Sequence, residues 1–122
     1  MGERAVGIGG VFFRARDPEA LRAWYAEHLG IDMEDYGTTF TAREGDQTVW
    51  APFAGDTDYF GPSGQQLMVN YRVADLDAML AQLRTAGVAV DDALHESGNG
   101  RFGWATDPDG NRIELWEPAP GQ

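Results

Sequence analysis

The segment Asp107-Pro-Asp-Gly-Asn-Arg-Ile-Glu-Leu-Trp-Glu-Pro118 predicts a tight turn that leads into a β-strand. Pro108 presets φ for the turn, and the Gly-Asn pair that follows tolerates the left-handed backbone needed to reverse the chain. Ile113 and Leu115 then share one apolar face, because side chains alternate along a strand with a period of two. Glu114 points to the opposite face. There its carboxylate meets either water or a cavity, and which of these holds decides much of the function.

The composition is that of one soluble globular domain. The chain has 122 residues, 43% of them hydrophobic and 24% charged, and a domain of this length can bury a core of its own. No apolar run is long enough to span a membrane. No apolar signal region follows the N-terminus, so we expect a cytoplasmic protein without a membrane partner. The absence of cysteine excludes disulfides and thiolate chemistry.

The net charge of −11 argues against binding to nucleic acids. An acidic surface repels a phosphate backbone, so this charge serves solubility first. An anionic small molecule could still bind if arginines line its pocket locally.

Two amphipathic helices are predicted, each opened by an aspartate cap. Asp17 precedes Pro18, which favours the first position of a helix, and Gly30 ends that helix. Asp75 begins the second helix and Gly87 stops it. Apolar residues recur at helical spacing in both segments: Leu21, Trp24, Tyr25 and Leu29 in the first, and Leu76, Met79, Leu80 and Leu83 in the second.

The predicted strands fall into two similar halves. The stretch from Val11 to Asp17 matches the stretch from Val69 to Asp75 with a constant shift of 58 positions. An internal duplication of a βαβββ unit explains this order. The fold class is therefore α+β, a single domain over residues 1–122 with one module at about 6–55 and the other at about 65–118. Strands are predicted at residues 6–16, 38–43 and 47–53 in the first module, and at 67–73, 88–94, 101–106 and 111–116 in the second.

A loop of residues 56–64 joins the two modules and contains the adjacent aromatic residues Tyr59 and Phe60 beside Gly and Pro. Two aromatic side chains in such a loop either pack onto the core or form a lid over a site.

These features together resemble the vicinal oxygen chelate superfamily, which includes glyoxalase I, bleomycin-resistance proteins and extradiol dioxygenases. The resemblance rests on the doubled βαβββ unit, the Asp-Pro-x-x-Leu helix start at Asp17 and the closing segment at Asp107, and it extends from Gly9 to Pro118. It implies that the two modules together form a cup with the helices on its outer side. It also implies a homodimer, as members of the superfamily commonly are.

Within the fold that this resemblance implies, alternation along the strands sorts the residues between two faces. We predict that the helix-facing core contains Val11, Phe13, Ala15, Val69, Tyr71, Val73, Ile113 and Leu115. We predict that Phe12, Arg14, Asn70, Arg72, Glu114 and Trp116 face the cup, with Trp50 and Trp104 as further aromatic walls.

The resemblance also supplies a test for a metal site. Metal enzymes of the superfamily bind a divalent ion through His or Gln in the first strand, Glu in the fourth, His in the fifth and Glu in the eighth. Glu114 stands at the eighth-strand position, but Gly10 and Met68 stand at the first and fifth, and residues 47–53 hold no carboxylate. A catalytic divalent site needs about three protein ligands. We therefore expect no metal cofactor, with a divalent metal as the disfavoured alternative.

The two histidines lie away from these positions. His28 is in the last turn of the first predicted helix, where it can favour the helix dipole. His95 follows the strand predicted at 88–94, as a surface residue or at the cup mouth.

Aromatic and arginine side chains suit a small-molecule pocket. The first hypothesis is a binding protein of the bleomycin-resistance type that holds an aromatic or anionic ligand without a complete metal site. The alternative is a glyoxalase-type lyase or isomerase, or a metal-dependent dioxygenase, in which Glu114 is acid, base or metal ligand. A third interpretation is purely structural, with Arg14 and Arg72 in buried ion pairs and Glu114 neutralising one of them. The predicted ligand-binding residues are Phe12, Arg14, Trp50, Asn70, Arg72, Trp104 and Trp116, and the candidate catalytic residue is Glu114.

Overall fold

A computed structural model describes residues 15–32, 38, 44, 56–62 and 64–120. Helix α1 spans Pro18–Leu29, and the Asp17 carboxylate caps it by accepting a hydrogen bond from the Ala20 N–H at 3.1 Å. Helix α2 spans Leu76–Thr85 and is capped in the same way by Asp75. Both predicted helices are confirmed. Neither has the length and apolar content that a membrane span requires.

Five strands of the described ranges form one sheet. The strands are β1 at Asn70–Arg72, β2 at Ala89–Val90, β3 at His95–Ser97, β4 at Gly100–Thr106 and β5 at Arg112–Pro118. Their order in the sheet is β1-β5-β4-β2, with β3 also paired to β4. β1 runs parallel to β5, and the other pairs are antiparallel.

The second half departs from the predicted strands in several places. The strand predicted at 88–94 is confirmed only at Ala89–Val90, which form β2, and a separate strand, β3, follows it at His95–Ser97. Val90 pairs with Ala105 and His95 pairs with Phe102, so the four residues 91–94 oppose only the two residues 103 and 104 of β4. The surplus residues bulge out of the ladder, which re-aims β3. The predicted strand at 67–73 is shorter than expected, and β5 begins and ends later than the predicted 111–116.

The helices cover one face of the sheet, and the core lies between them. Leu80 of α2 lies so close to β4 that a Cβ at Gly103 would stand 3.1 Å from its Cδ1. The helix-facing prediction is confirmed for Ile113 and Leu115, which are buried, and for Ala15, Tyr71 and Val73, which pack against them. The buried members of the core are Leu21, Tyr25, Ile31, Leu76, Leu80, Leu83, Ala105, Ile113 and Leu115.

The turn at Asp107 fastens β5 to α1. The buried Asp107 carboxylate accepts hydrogen bonds from the backbone N–H groups of Asp109 and Asn111, each at 2.9 Å, which folds the turn. The same carboxylate accepts a hydrogen bond from the Tyr25 hydroxyl at 2.8 Å. The turn at Asp107 therefore fixes the first residues of β5 against the helix layer.

Most of the predicted strands of the first module, at residues 6–14, 39–43 and 47–53, lie outside the described residues, as do residues 10–14 and Trp50 among them. The remaining predicted strand positions, Ala15, Arg16 and Thr38, are described and are not in a strand. The internal duplication and the module boundaries stay predictions.

Candidate functional site

The face of the sheet turned away from the helices carries the candidate site, and we call it the cup face. β5 lies between β1 and β4, so residues of all three strands meet on it. Asn70 and Trp104 are the register partners of Glu114 on the two neighbouring strands. Only 7% of Glu114 is exposed, so its carboxylate looks into the protein and not into water.

Three uncharged donors hold the Glu114 carboxylate. Asn70 Nδ2 donates to Oε1 at 2.7 Å. The Trp104 indole Nε1 donates to Oε2 at 2.9 Å, and the Tyr59 hydroxyl donates to the same oxygen at 2.5 Å. Buried polar groups need such partners, and a charged acceptor gains more from them than a neutral one. Both oxygens are therefore bound, and all three of these partners are neutral.

Tyr59 reaches this carboxylate from the loop that joins the predicted modules. Its ring is half-buried and stands edge-on to Trp104, with the ring centroids 5.9 Å apart. Burial and the hydrogen bond to Glu114 raise the pKa of the Tyr59 phenol well above its usual value. The phenol therefore keeps its proton at neutral pH and acts as a donor.

Arg112 holds this loop against the sheet. Its Nε donates to the Tyr59 carbonyl at 3.1 Å, and its guanidinium lies over the Trp104 ring at 5.0 Å from the centroid. The same guanidinium pairs with the Asp91 carboxylate. A Cβ at Gly61 would stand 3.0 Å from Arg112 Cδ, so the loop crosses this side chain at close range. Arg112 therefore positions both Tyr59 and Trp104 without touching Glu114.

A row of flat side chains crosses the cup face beside Glu114, at the position of Trp116, two residues further along β5. The rings of Phe102 and Trp116 are parallel within 1°, with centroids 6.0 Å apart. The Arg72 guanidinium lies over Trp116 at 5.2 Å, and the exposed His95 ring lies against Phe102 at 5.9 Å. Because β5 is flanked by β1 and β4, Trp116 is enclosed between Arg72 and Phe102, and only 4% of it is exposed. Phe102, half-buried, and His95 form the more accessible end of this row.

Arg72 differs from Arg101 and Arg112 in its charge partners, since each of those two pairs with a carboxylate. Within the described ranges, it takes part in no ion pair, and its buried Nε has no hydrogen-bond partner. The prediction that Glu114 neutralises an arginine is therefore wrong for Arg72. The predicted convergence of Arg72 with Arg14 cannot be followed, because Arg14 lies outside the described residues.

The donors around Glu114 do not fit a divalent metal. A Trp indole offers only a proton, and a tyrosine that keeps its proton is a poor ligand. Of the superfamily's metal positions, Met68 and Glu114 fall within the described ranges, and Met68 offers only a thioether. In the part of the chain that the structure describes, no three His, Cys, Asp or Glu side chains lie close enough to share a metal ion.

The structure brings together Asn70, Trp104 and Glu114, and places Arg72 and Trp116 beside them. Phe12, Arg14 and Trp50 fall outside the described residues. Sequence reasoning missed Phe102 and Arg112, although the period of two places them on the same faces as Trp104 and Glu114. It noted Tyr59 as a lid or core residue but did not assign it to the site. His28 lies in the last turn of α1, with its ring against Trp24.

A comparison with family models matches residues 7–115 to the Glyoxalase/Bleomycin resistance protein/Dioxygenase superfamily. The chain belongs to this superfamily. The α+β fold class predicted from the sequence is thereby confirmed, as is the resemblance on which the cup was inferred. A comparison with curated proteins found no match.

Solved structures of the superfamily are similar to this chain over most of its length. One is TnmS3, an antibiotic binding protein from Streptomyces sp. CB03234, with 29% identity, 98% of this chain and 99% of that chain covered, and a TM-score of 0.58. A glyoxalase/bleomycin resistance protein from the same organism is 31% identical, with 83% and 91% covered and a TM-score of 0.51. The trypanothione-dependent glyoxalase I of Leishmania major, at 22% identity, 86% and 81% coverage and a TM-score of 0.52, shares the fold alone.

Proposed function

We propose that this protein is a small-molecule binding protein that holds a planar aromatic or anionic ligand on its cup face without a metal cofactor. The proposal rests on the hydrogen bonding of Glu114, whose two carboxylate oxygens accept hydrogen bonds from Asn70, Trp104 and Tyr59. Three neutral donors occupy most of the about four lone-pair positions of this carboxylate, which leaves little of it directed at a substrate. Here the carboxylate organises neutral donors and aromatic walls, as a recognition site does.

The aromatic row supports the same proposal. The exposed His95 ring lies at the accessible end of the row beside the half-buried Phe102, and stacking on such rings suits flat ligands. Arg72 offers a guanidinium with no ion pair among the described residues, and this group binds carboxylates and similar anions. The similarity to a protein described as antibiotic binding agrees with a binding role in the superfamily.

Calorimetric titration tests this proposal. The protein is treated with a chelator and titrated with naphthalene, quinoline, indole and the carboxylates of each. Saturable binding of at least one compound is the expected result. The Arg72→Gln substitution should weaken the binding of the carboxylates more than the binding of their neutral parents. Arg101→Gln is the matched control, because Arg101 pairs with Asp77 of α2 on the helix face. If none of the compounds binds saturably, the proposal is contradicted.

One observation favours an enzyme as the second candidate. The half-buried Tyr59 hydroxyl and the buried Glu114 carboxylate form an acid–acceptor pair at 2.5 Å, which a lyase or isomerase of glyoxalase type could use to move a proton. In that case Glu114→Gln abolishes turnover of an α-keto aldehyde adduct while the variant still unfolds cooperatively. Equal turnover by Glu114→Gln and the parent protein would reject this role.

We also propose that the protein acts as a cytoplasmic homodimer, since its superfamily commonly forms dimers. Light scattering coupled to gel filtration should give twice the mass of the 122-residue chain. A monomer mass at micromolar concentration would contradict the dimer.

A further inference from the structure

We infer that the ligand of the cup face is an aromatic compound bearing a hydroxyl group, and that the Tyr59 phenol holds the place of that hydroxyl until the ligand displaces it. This inference rests on the proposed binding function and names its ligand class.

The contacts of Tyr59 are those that a bound phenol would make. Its hydroxyl donates to the buried Oε2 of Glu114, and its ring packs edge-on against Trp104. Edge-to-face packing and a charge-assisted hydrogen bond are two independent elements of phenol recognition. The cup face therefore already binds one phenol, supplied by the protein's own chain.

Tyr59 differs from the other two donors in how it is held. Asn70 and Trp104 belong to β1 and β4 and are the register partners of Glu114, so the strand pairing holds their backbones on either side of the carboxylate. Tyr59 belongs to the connecting loop. Its main chain is bound by the Thr57 hydroxyl and by Arg112, so a ligand that displaces its side chain leaves every strand pairing of the sheet intact. The position opposite Oε2 is thus the exchangeable one of the three.

A ligand that displaces Tyr59 must itself supply the hydrogen bond that the Tyr59 hydroxyl makes to Glu114. A buried carboxylate oxygen that loses a donor is left partly unsatisfied, which is costly. A ligand hydroxyl at the same position restores the hydrogen bond, whereas an ether of the same shape cannot. Tyr59 also competes with any ligand as a tethered group at high effective concentration. Removing its hydroxyl should therefore strengthen the binding of phenols.

The test uses 2-naphthol and its methyl ether, 2-methoxynaphthalene, in calorimetric titrations of the full chain. The variants are Tyr59→Phe and, as the matched control, Tyr25→Phe, which removes a hydroxyl bound to Asp107 on the helix side. 2-Naphthol should bind about tenfold or more tightly than the ether, the difference expected from one charge-assisted hydrogen bond. Tyr59→Phe should tighten the binding of both compounds by a similar factor, because the Tyr59–Glu114 hydrogen bond no longer competes with either of them. Tyr25→Phe should change neither.

Amide hydrogen exchange supplies a second readout. Displacement of Tyr59 predicts faster exchange in residues 56–62 when 2-naphthol is bound. Slower exchange there, weaker binding of both probes by Tyr59→Phe, or equal affinity for 2-naphthol and the ether would each overturn this inference. If hydroxyl-free compounds of the panel bind without any preference for 2-naphthol, the binding function stands and this inference falls. If nothing binds to the parent protein or to Tyr59→Phe, both fall.

Discussion

Asn70 Nδ2 lies 2.7 Å from Glu114 Oε1, so a side-chain hydrogen bond joins the parallel neighbours β1 and β5 across the cup face. This contact ties the sheet topology to the candidate site, because it exists only when the two strands pair in the observed register.

Asn70→Asp tests this relationship. The substitution keeps the shape of the side chain but replaces the donor with a carboxylate that faces Glu114. We expect the free energy of unfolding near neutral pH to fall by about 1–3 kcal/mol, because a donor is lost and a like charge gained. Denaturant unfolding measures this. Asn99→Asp, the same change at an exposed turn position, should cost much less. Equal losses in the two variants would mean that the Asn70 contact contributes nothing.

The hairpin between β3 and β4 depends on the backbone of Gly100. Its φ of +129° is one that L side chains rarely adopt, and a Cβ there would stand 2.2 Å from the Glu117 carbonyl oxygen. Gly100→Ala should therefore destabilise the protein by more than the roughly 1–3 kcal/mol of backbone strain alone. Gly98→Ala is the control, since nothing lies within 4 Å of its Cβ position. Comparable melting temperatures for the two variants would contradict this description of the turn.

The Tyr25 hydroxyl should contribute more than the ion pair beside it. Tyr25→Phe removes a buried hydrogen bond to the Asp107 carboxylate and should cost about 1.5–3 kcal/mol. Arg16→Gln removes an exposed ion pair to Asp109 in the same turn and should cost at most about 1 kcal/mol. Chemical denaturation of both variants checks the order, and a larger loss in Arg16→Gln would reverse our account of the turn.

The protein should lose stability in alkali. Burial raises the pKa of Tyr71 to about 12, and it raises the pKa values of Tyr25 and Tyr59 as well. A tyrosine whose pKa is raised by folding contributes stability fully below its unfolded pKa of about 10, and this contribution is lost as the pH rises through the folded pKa. The unfolding free energy should therefore decline between pH 10 and 12, as measured in urea titrations. Tyr71→Phe should flatten this decline, and an unchanged slope would reject the assignment.

The sequence predicts the local parts of this structure well. The caps at Asp17 and Asp75 set the helix starts, and the period of two places Glu114 opposite Ile113 and Leu115. These are properties of consecutive residues. The bulge between β2 and β3 was missed, since no Gly or Pro marks it in the sequence.

The donors around Glu114 were less accessible to sequence reasoning. Their approach depends on which strands neighbour β5 and in which register, and both are long-range properties. Tyr59 is the clearest case. An aromatic residue in a loop can pack onto the core or cover a binding site, and the local sequence is the same in both cases. Only the path of the loop across Arg112 distinguishes them.

Metal-free binding of a planar aromatic ligand at the cup face is tested by following the indole N–H resonances of isotopically labelled protein during titration with the aromatic panel, in the presence of a chelator. A ligand on the cup face should shift the resonances of Trp104 and Trp116 saturably and leave that of Trp24, on α1, unchanged. Binding without metal at this face predicts this result. Shifts confined to Trp24, or shifts of Trp104 and Trp116 that appear only after a divalent metal is added, would contradict it.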